Sequence, residues 1–267
     1  MDFVDAIVLG IVQGASEFLP ISSSGHLVIV QRLLGVEEGS LTISIAVHFG
    51  SLLAVIAALW PEWWLMFKAL IGRAGTENPA GRRLFLMLVL ASLPVAAVGF
   101  LFKDWVEAAF SSPYVPGIML LVTGVLLWYA DKRQGVAGLA DISPRHALAM
   151  GIGQSVALLP GLSRSGTTMA TGMFTGLQRE EAARFSFLMA VPAIFGASLL
   201  EGIALLTGES ALDLSASVLF VGVVASLVTS YIAIRFFLSF LRRGRLVWFA
   251  RYVWFVGAVV LALTFFG

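Results

Sequence analysis

Residues 13–26 read Gln-Gly-Ala-Ser-Glu-Phe-Leu-Pro-Ile-Ser-Ser-Ser-Gly-His, a polar run between two apolar stretches, 3–12 and 27–34. Each stretch is too short to cross about 30 Å of hydrocarbon. Gln13 and Glu17 are four apart, so a helix places both on one face. Pro20 then stops or kinks that helix, and Ser22, Ser23, Ser24, Gly25 and His26 open the next apolar run. Non-helical backbone at membrane depth survives only where protein or a wet cavity satisfies its hydrogen bonds. The run therefore predicts a helix–break–helix hairpin, re-entrant over 3–35, that borders a cavity.

That the surroundings are a membrane follows from composition. With 59% hydrophobic and 12% charged residues and a mean hydropathy of +0.94, the chain has too little polar surface to cover a soluble globule. Runs of about 20 apolar residues, enough to span, lie near 41–60, 84–102, 114–130, 184–206, 214–238 and 247–266. These give six spanning helices. Pro61 to Arg83 reads as a loop in which Trp60, Trp63 and Trp64 form an interfacial belt beside Lys68, Arg73, Arg82 and Arg83. Asp2 and Asp5 stand where a signal peptide would be basic, so no cleavable signal is expected. The absence of cysteine excludes disulfides, thiolate metal sites and a cysteine nucleophile. Nothing points to nucleic acid.

A second break, Leu-Leu-Pro-Gly-Leu-Ser-Arg-Ser-Gly-Thr-Thr, occupies 158–168, inside a hairpin expected over 144–178 that Ser143 caps and Pro144 opens. An offset of 141 places Gln13 on Gln154, Gly10 on Gly151, Ile11 on Ile152, Ser22 on Ser163, Ser24 on Ser165 and Gly25 on Gly166. The chain thus reads as one all-α membrane domain over 1–267. It is built from an inverted-topology repeat, about 1–140 and 141–267, of about five helices each: six spans plus two re-entrant hairpins. Three spans per half invert the second copy. On that topology fourteen of the seventeen basic residues share one side, with Arg32 and Lys103 on the other and Arg164 inside the second break. The basic side is the cytoplasm, so both termini and the mouth of the first hairpin face outward.

Each break leads with serines and a glycine into the N-terminus of a half-helix, where free amides and the dipole favour an anion. Arg164 adds a fork suited to phosphate oxygens; a structural pair with Glu17 is its alternative role. Glu17 and Gln13 offer oxygen ligands to a hard cation, Mg²⁺ or Ca²⁺. A Glu17–Arg164 or Glu17–Ser contact without metal is the alternative. Ser22, Ser23 or Ser24 could supply a nucleophile, with His26 as base or as the attacking group itself; tight-turn packing is the alternative for each serine. His48 reads as a packing or inter-helix residue, His146 as part of a helix cap, and Glu201 as reaching the interface.

In these two motifs the sequence resembles the bacitracin-resistance type of undecaprenyl-diphosphate phosphatase. Gln13-Gly-Ala-Ser-Glu17 fits that family's Glu/Gln-x-x-x-Glu motif, and Phe-Leu-Pro-Ile-Ser-Ser-Ser-Gly-His26 follows it. Pro160-Gly-Leu-Ser-Arg-Ser-Gly-Thr167-Thr168 fits its Pro-Gly-x-Ser-Arg-Ser-x-x-Thr motif. The resemblance covers essentially the whole chain. It implies removal of the terminal phosphate from the C55 isoprenyl diphosphate carrier in the bacterial plasma membrane, at a site opening to the outer face, returning the monophosphate to cell-wall synthesis. It implies Ser23, His26, Glu17 and Arg164 as catalytic residues. Gln13, Ser22, Ser24, Ser163, Ser165, Thr167 and Thr168 would bind substrate, and Glu17 with Gln13 a divalent cation. The partners implied are the polyprenyl diphosphate and the bilayer, with a homodimer as a candidate assembly. Gln13 holds the amide form of the motif's first position, so Glu17 is left as the one clear acid there. A transporter or flippase using the same inverted-repeat cavity is the competing class. An acid-phosphatase-like enzyme is set aside, because that superfamily needs a further histidine and aspartate after its Ser-Arg.

Overall fold

The protein is described by a computed structural model over residues 1–36, 41–72, 79–206 and 214–266. Arg73 and the side chains of Arg32, Lys103 and Glu201 lie outside this description. The described residues form twelve α-helices and a short 3₁₀ turn, Leu139–Asp141.

Two helix–break–helix units stand where the polar runs predict them. In the first, α1 (Phe3–Glu17) and α2 (Ser23–Leu33) flank a break at 18–22; in the second, α8 (Pro144–Val156) and α9 (Arg164–Phe174) flank one at 157–163. The longest of the four, α1, has 15 residues, and at 1.5 Å per residue reaches about 22 Å, so none of them crosses hydrocarbon alone. The caps are those the sequence announces. Asp2 accepts from the amides of Val4 and Asp5, Ser143 accepts from His146 N with Pro144 at the first turn, and Ser163 accepts from Gly166 N at 3.1 Å.

Four helices are long and apolar enough to span: α5 (Pro79–Leu101), α10 (Arg179–Leu206), α11 (Ala216–Leu241) and α12 (Val247–Phe266). Two more runs, α3 (Leu41–Ala58) and α7 (Val115–Ala130), reach that length only together with a short neighbour, α4 (Trp60–Ile71) and α6 (Lys103–Phe110), from which each is sharply bent. Four to six spans result. The segment expected as a loop after Pro61 is, over its first part, the helix α4. Proline fits its first turn, and Trp60, Trp64 and Phe67 stack along one face with ring centroids 6.1 and 5.5 Å apart.

Helix α1 lies against α11, and α8 lies against α5. Both contacts are made through glycine. A Cβ on Gly10 would lie 2.9 Å from Ala225 Cβ, one on Gly14 2.7 Å from Ser226 O, and one on Gly151 3.0 Å from Pro94 Cγ. Where lipid removes the hydrophobic drive between helices, such small residues permit the close approach that holds them together. Serines tie α3 to α11 as well: Ser226 donates to Val47 O at 2.6 Å and Ser230 to Ser51 Oγ at 2.9 Å. Phe18, fully buried, ends α1 edge-on against Phe187 of α10 at 5.2 Å and so anchors the tip of the first unit in the main core.

Basic residues stitch one face. Arg184 reaches Glu62 at 2.6 Å and Glu180 at 3.2 Å, Arg242 reaches Glu180 at 3.1 Å, and Asp131 takes both Arg179 at 3.4 Å and Arg245 at 3.1 Å. These pairs join the ends of α4, α7, α10 and α11.

Candidate active site

The tips of the two broken units meet. Arg164 bonds one guanidinium nitrogen, Nη2, to Glu17 Oε1. Ser165 donates to Leu19 O at 3.0 Å, and a Cβ on Gly166 would lie 3.1 Å from Pro20 Cβ. Thr123, buried on α7, accepts the Ser163 amide at 3.0 Å and so supports the second break from behind. In each break the two flanking serines pair at the same separation: Ser22 with Ser24, and Ser163 with Ser165, both at 3.3 Å.

Glu17 is the hub. Its Oε2 accepts from Ser23 Oγ at 2.6 Å and from Gln13 Nε2 at 2.9 Å, while Oε1 takes Arg164. The residue is 7% exposed; burial of such a charge is tolerable because its counter-charge and hydrogen bonds are buried with it. The structural pair that the sequence leaves as an alternative for Arg164 is therefore formed, but it uses only part of the guanidinium. Arg164 Nη1 is buried without a partner, as are Gln13 Oε1 and Thr167 Oγ1. Three unspent polar atoms, two donors among them, thus sit in or beside the two breaks. A buried polar atom left unpaired is costly, and a ligand with several acceptor oxygens would satisfy the two donors, leaving Gln13 Oε1 to a cation or a proton donor.

Gln154 also has both amide atoms buried and unpaired. In the sequence it serves only to set the register of the repeat, and that register is the signal that it matches Gln13. Thr168 has instead spent its hydroxyl, which lies 2.7 Å from Arg164 O and 2.5 Å from Ser186 Oγ. That hydroxyl holds α9 to α10.

Both histidines have partners that the sequence does not mark. His26 Nδ1 lies 2.8 Å from Ser22 O and can only donate there, which leaves Nε2 to accept the Tyr252 hydroxyl at 2.7 Å; the rings also stack, 5.6 Å between centroids. His26 is thus held to α12 and not to Ser23. His48 Nδ1 donates to Ser44 O at 2.7 Å, and its Nε2 lies 3.8 Å from Glu17 Oε2. A residue read as packing stands beside the hub. No local pattern marks it, because α3 meets α1 only in the fold. Tyr252 is likewise unmarked in the sequence.

Ser22 is the only described non-glycine residue with positive φ, +70°, a region disfavoured for residues with a Cβ and found where function fixes a turn. Its strained turn presents its own carbonyl to His26.

For a divalent cation, Gln13 Oε1 is an unspent oxygen one helical turn from the Glu17 carboxylate. Among the described residues no three His, Cys, Asp or Glu side chains converge on a metal position. A cation of the Mg²⁺ kind, which takes one or two protein oxygens and completes its shell with phosphate and water, is what so small a donor set could hold.

The profile of the family described as "Bacitracin resistance protein BacA" matches residues 6–259. The chain is 41% identical to the undecaprenyl-diphosphatase of Pelotomaculum thermopropionicum, over 99% of this chain and 97% of that protein. It is 40% identical to that of Methanobrevibacter smithii over 97% of each, and 38% identical to that of Bacteroides fragilis over 99% of each.

Proposed function

The chain belongs to the bacitracin resistance protein BacA family, and from that membership we propose that it hydrolyses undecaprenyl diphosphate to undecaprenyl phosphate and inorganic phosphate. The observation that carries this reading is the junction of the two breaks, where Glu17 holds Ser23 and Arg164 together while Arg164 Nη1 stays buried and unpaired. A diphosphate oxygen satisfies that donor in charge and geometry.

In the proposed reaction Arg164 Nη1, the Thr167 hydroxyl and the amides opening α9 bind the terminal phosphate. The Ser23–Glu17 hydrogen bond aims the lone pairs of Oγ at phosphorus. Oγ attacks in line, its proton passes to Glu17, the anhydride P–O bond breaks, and undecaprenyl phosphate leaves. Water then attacks the phosphoserine, restoring Ser23 and releasing phosphate. His26 serves this second step as base once Tyr252 turns away from Nε2. Gln13 and Glu17 would hold Mg²⁺ or Ca²⁺, which neutralises diphosphate charge when bound.

The packing of α1 on α11 and α8 on α5, with the matched serine pairs, supports an inverted repeat with two re-entrant hairpins. The basic network on one face supports a cytoplasmic side there, so the termini and the site open to the outer face of the bacterial plasma membrane. The same paired broken helices are transporter architecture, which favours a polyprenyl-phosphate flippase as the second reading. Purified protein in lipid nanodiscs decides between them. Phosphate release from undecaprenyl diphosphate is expected; lipid movement without release would overturn the phosphatase. Rapid quench with ³²P on the terminal phosphate is expected to label Ser23, and label on His26 would reassign the nucleophile.

A further inference from the structure

The repeat is asymmetric at one position. The offset of 141 pairs Gly14 with Ser155. In the first unit Gly14 lets α1 lie flat on α11, a Cβ there being 2.8 Å from Ser230 N. In the second unit Gly151 makes the matching approach to α5, but one turn later Ser155 has the Cβ that Gly14 lacks. Pro94, inside α5, lies against Gly151 and lines the same cavity as Ser155, and it removes a helical hydrogen bond at that level. Beyond this point the two helices enclose a cavity of about 400 Å³, lined by Pro94, Ala97, Val98, Ile152, Val156 and Leu159, with Trp105 of α6 at its side.

The cavity is apolar in character. Ser155, the hydroxyl-bearing residue of its wall, turns its Oγ to Gly151 O at 2.9 Å. Its mouth opens at the surface, where Ile152 and Val156 are 58% and 51% exposed. Its inner wall runs straight into the second break: five residues lead from Leu159 to Arg164 and span at most about 18 Å. A pocket of this size, apolar and beside a phosphate clamp, suits the hydrocarbon attached to that phosphate.

We propose that the cavity between α5 and α8 seats the first isoprene units of the lipid chain while Arg164 holds its diphosphate, a reading that rests on a polyprenyl diphosphate being the substrate. Most of the chain lies out in the bilayer, and the cavity selects for branched hydrocarbon next to the headgroup.

Val98→Trp fills the cavity without touching the site. In nanodiscs it is expected to raise KM for undecaprenyl diphosphate about tenfold, the loss of roughly one side chain's worth of apolar contact. Turnover of methyl diphosphate, which carries no isoprene unit to enter the cavity, is expected to stay within about twofold of wild type. Equal loss on both substrates, or an unchanged KM for the long one, overturns the proposal. A second measurement uses wild-type protein alone: a polyprenyl phosphate with a diazirine on its first isoprene unit should label Ile152, Val156 or Leu159, and unlabelled undecaprenyl diphosphate should displace it. Labelling of these residues by a diazirine phospholipid that the substrate does not displace would assign the cavity to a bilayer acyl chain and overturn the proposal. If wild type hydrolyses neither diphosphate, the phosphatase reading fails, and the photolabelling still judges the cavity.

Discussion

Ser23 donates its hydroxyl to Glu17 over 2.6 Å, on the carboxylate that also holds Arg164 from a helix 147 residues away in sequence. One side chain thus orients the proposed nucleophile and balances the clamp. Glu17→Gln keeps the shape but leaves the Arg164 charge without its partner, in a site where breaking a buried pair costs about 3–5 kcal/mol. We expect phosphate release to fall at least about a hundredfold together with a lower melting temperature in detergent. Wild-type turnover in the Glu17→Gln variant would remove Glu17 from the reaction.

Arg164→Lys separates charge from geometry. A lysine can satisfy Glu17 or the phosphate, but a single ammonium does not reproduce two nitrogens pointing to different partners. The expected loss in kcat is about a hundredfold for lysine and about a thousandfold for alanine. Alanine activity close to wild type would eliminate the clamp.

His48→Ala tests the neighbour of the hub. With Nε2 3.8 Å from Glu17 Oε2, the imidazole shapes the field and the water around the carboxylate. A fall in kcat of about tenfold is expected, with little change in melting temperature. A loss of stability with unchanged turnover would return His48 to a packing role.

The asymmetry between Gly14 and Ser155 predicts unequal responses to the same change. Gly14→Val drives a branched side chain into the backbone of α11 and should destabilise the protein by about 1–3 kcal/mol. Ser155→Val borders the cavity and should change stability by less than about 1 kcal/mol. Thermal unfolding of the two variants side by side is the check, and equal effects would contradict the divergence of α5 and α8.

What the sequence discloses is local. Pro20, Pro160 and the serines after them announce breaks and Ser143-Pro144 announces a cap, each from residues within a few turns of one another, and an offset of 141 announces only that this local grammar repeats. The helix α4 is hidden because three tryptophans read as an interface belt. The spacing of four from Trp60 to Trp64 and on to Lys68 is nonetheless a helical signal. His48, Tyr252 and the role of Thr168 are illegible for a different reason. Their partners, Glu17, His26 and Ser186, are chosen by which helix lies on which, and periodicity carries no information about that.

The arginine network has a mechanical consequence. Outside the candidate site, the ion pairs among the described residues lie on the basic face, where Asp131 and Glu62 of the first half bind arginines of the second. Swinging the halves apart on that face would break several charged contacts at once, whereas parting them on the other breaks none of these. A rim tied in this way makes parting the halves on that face the costlier direction.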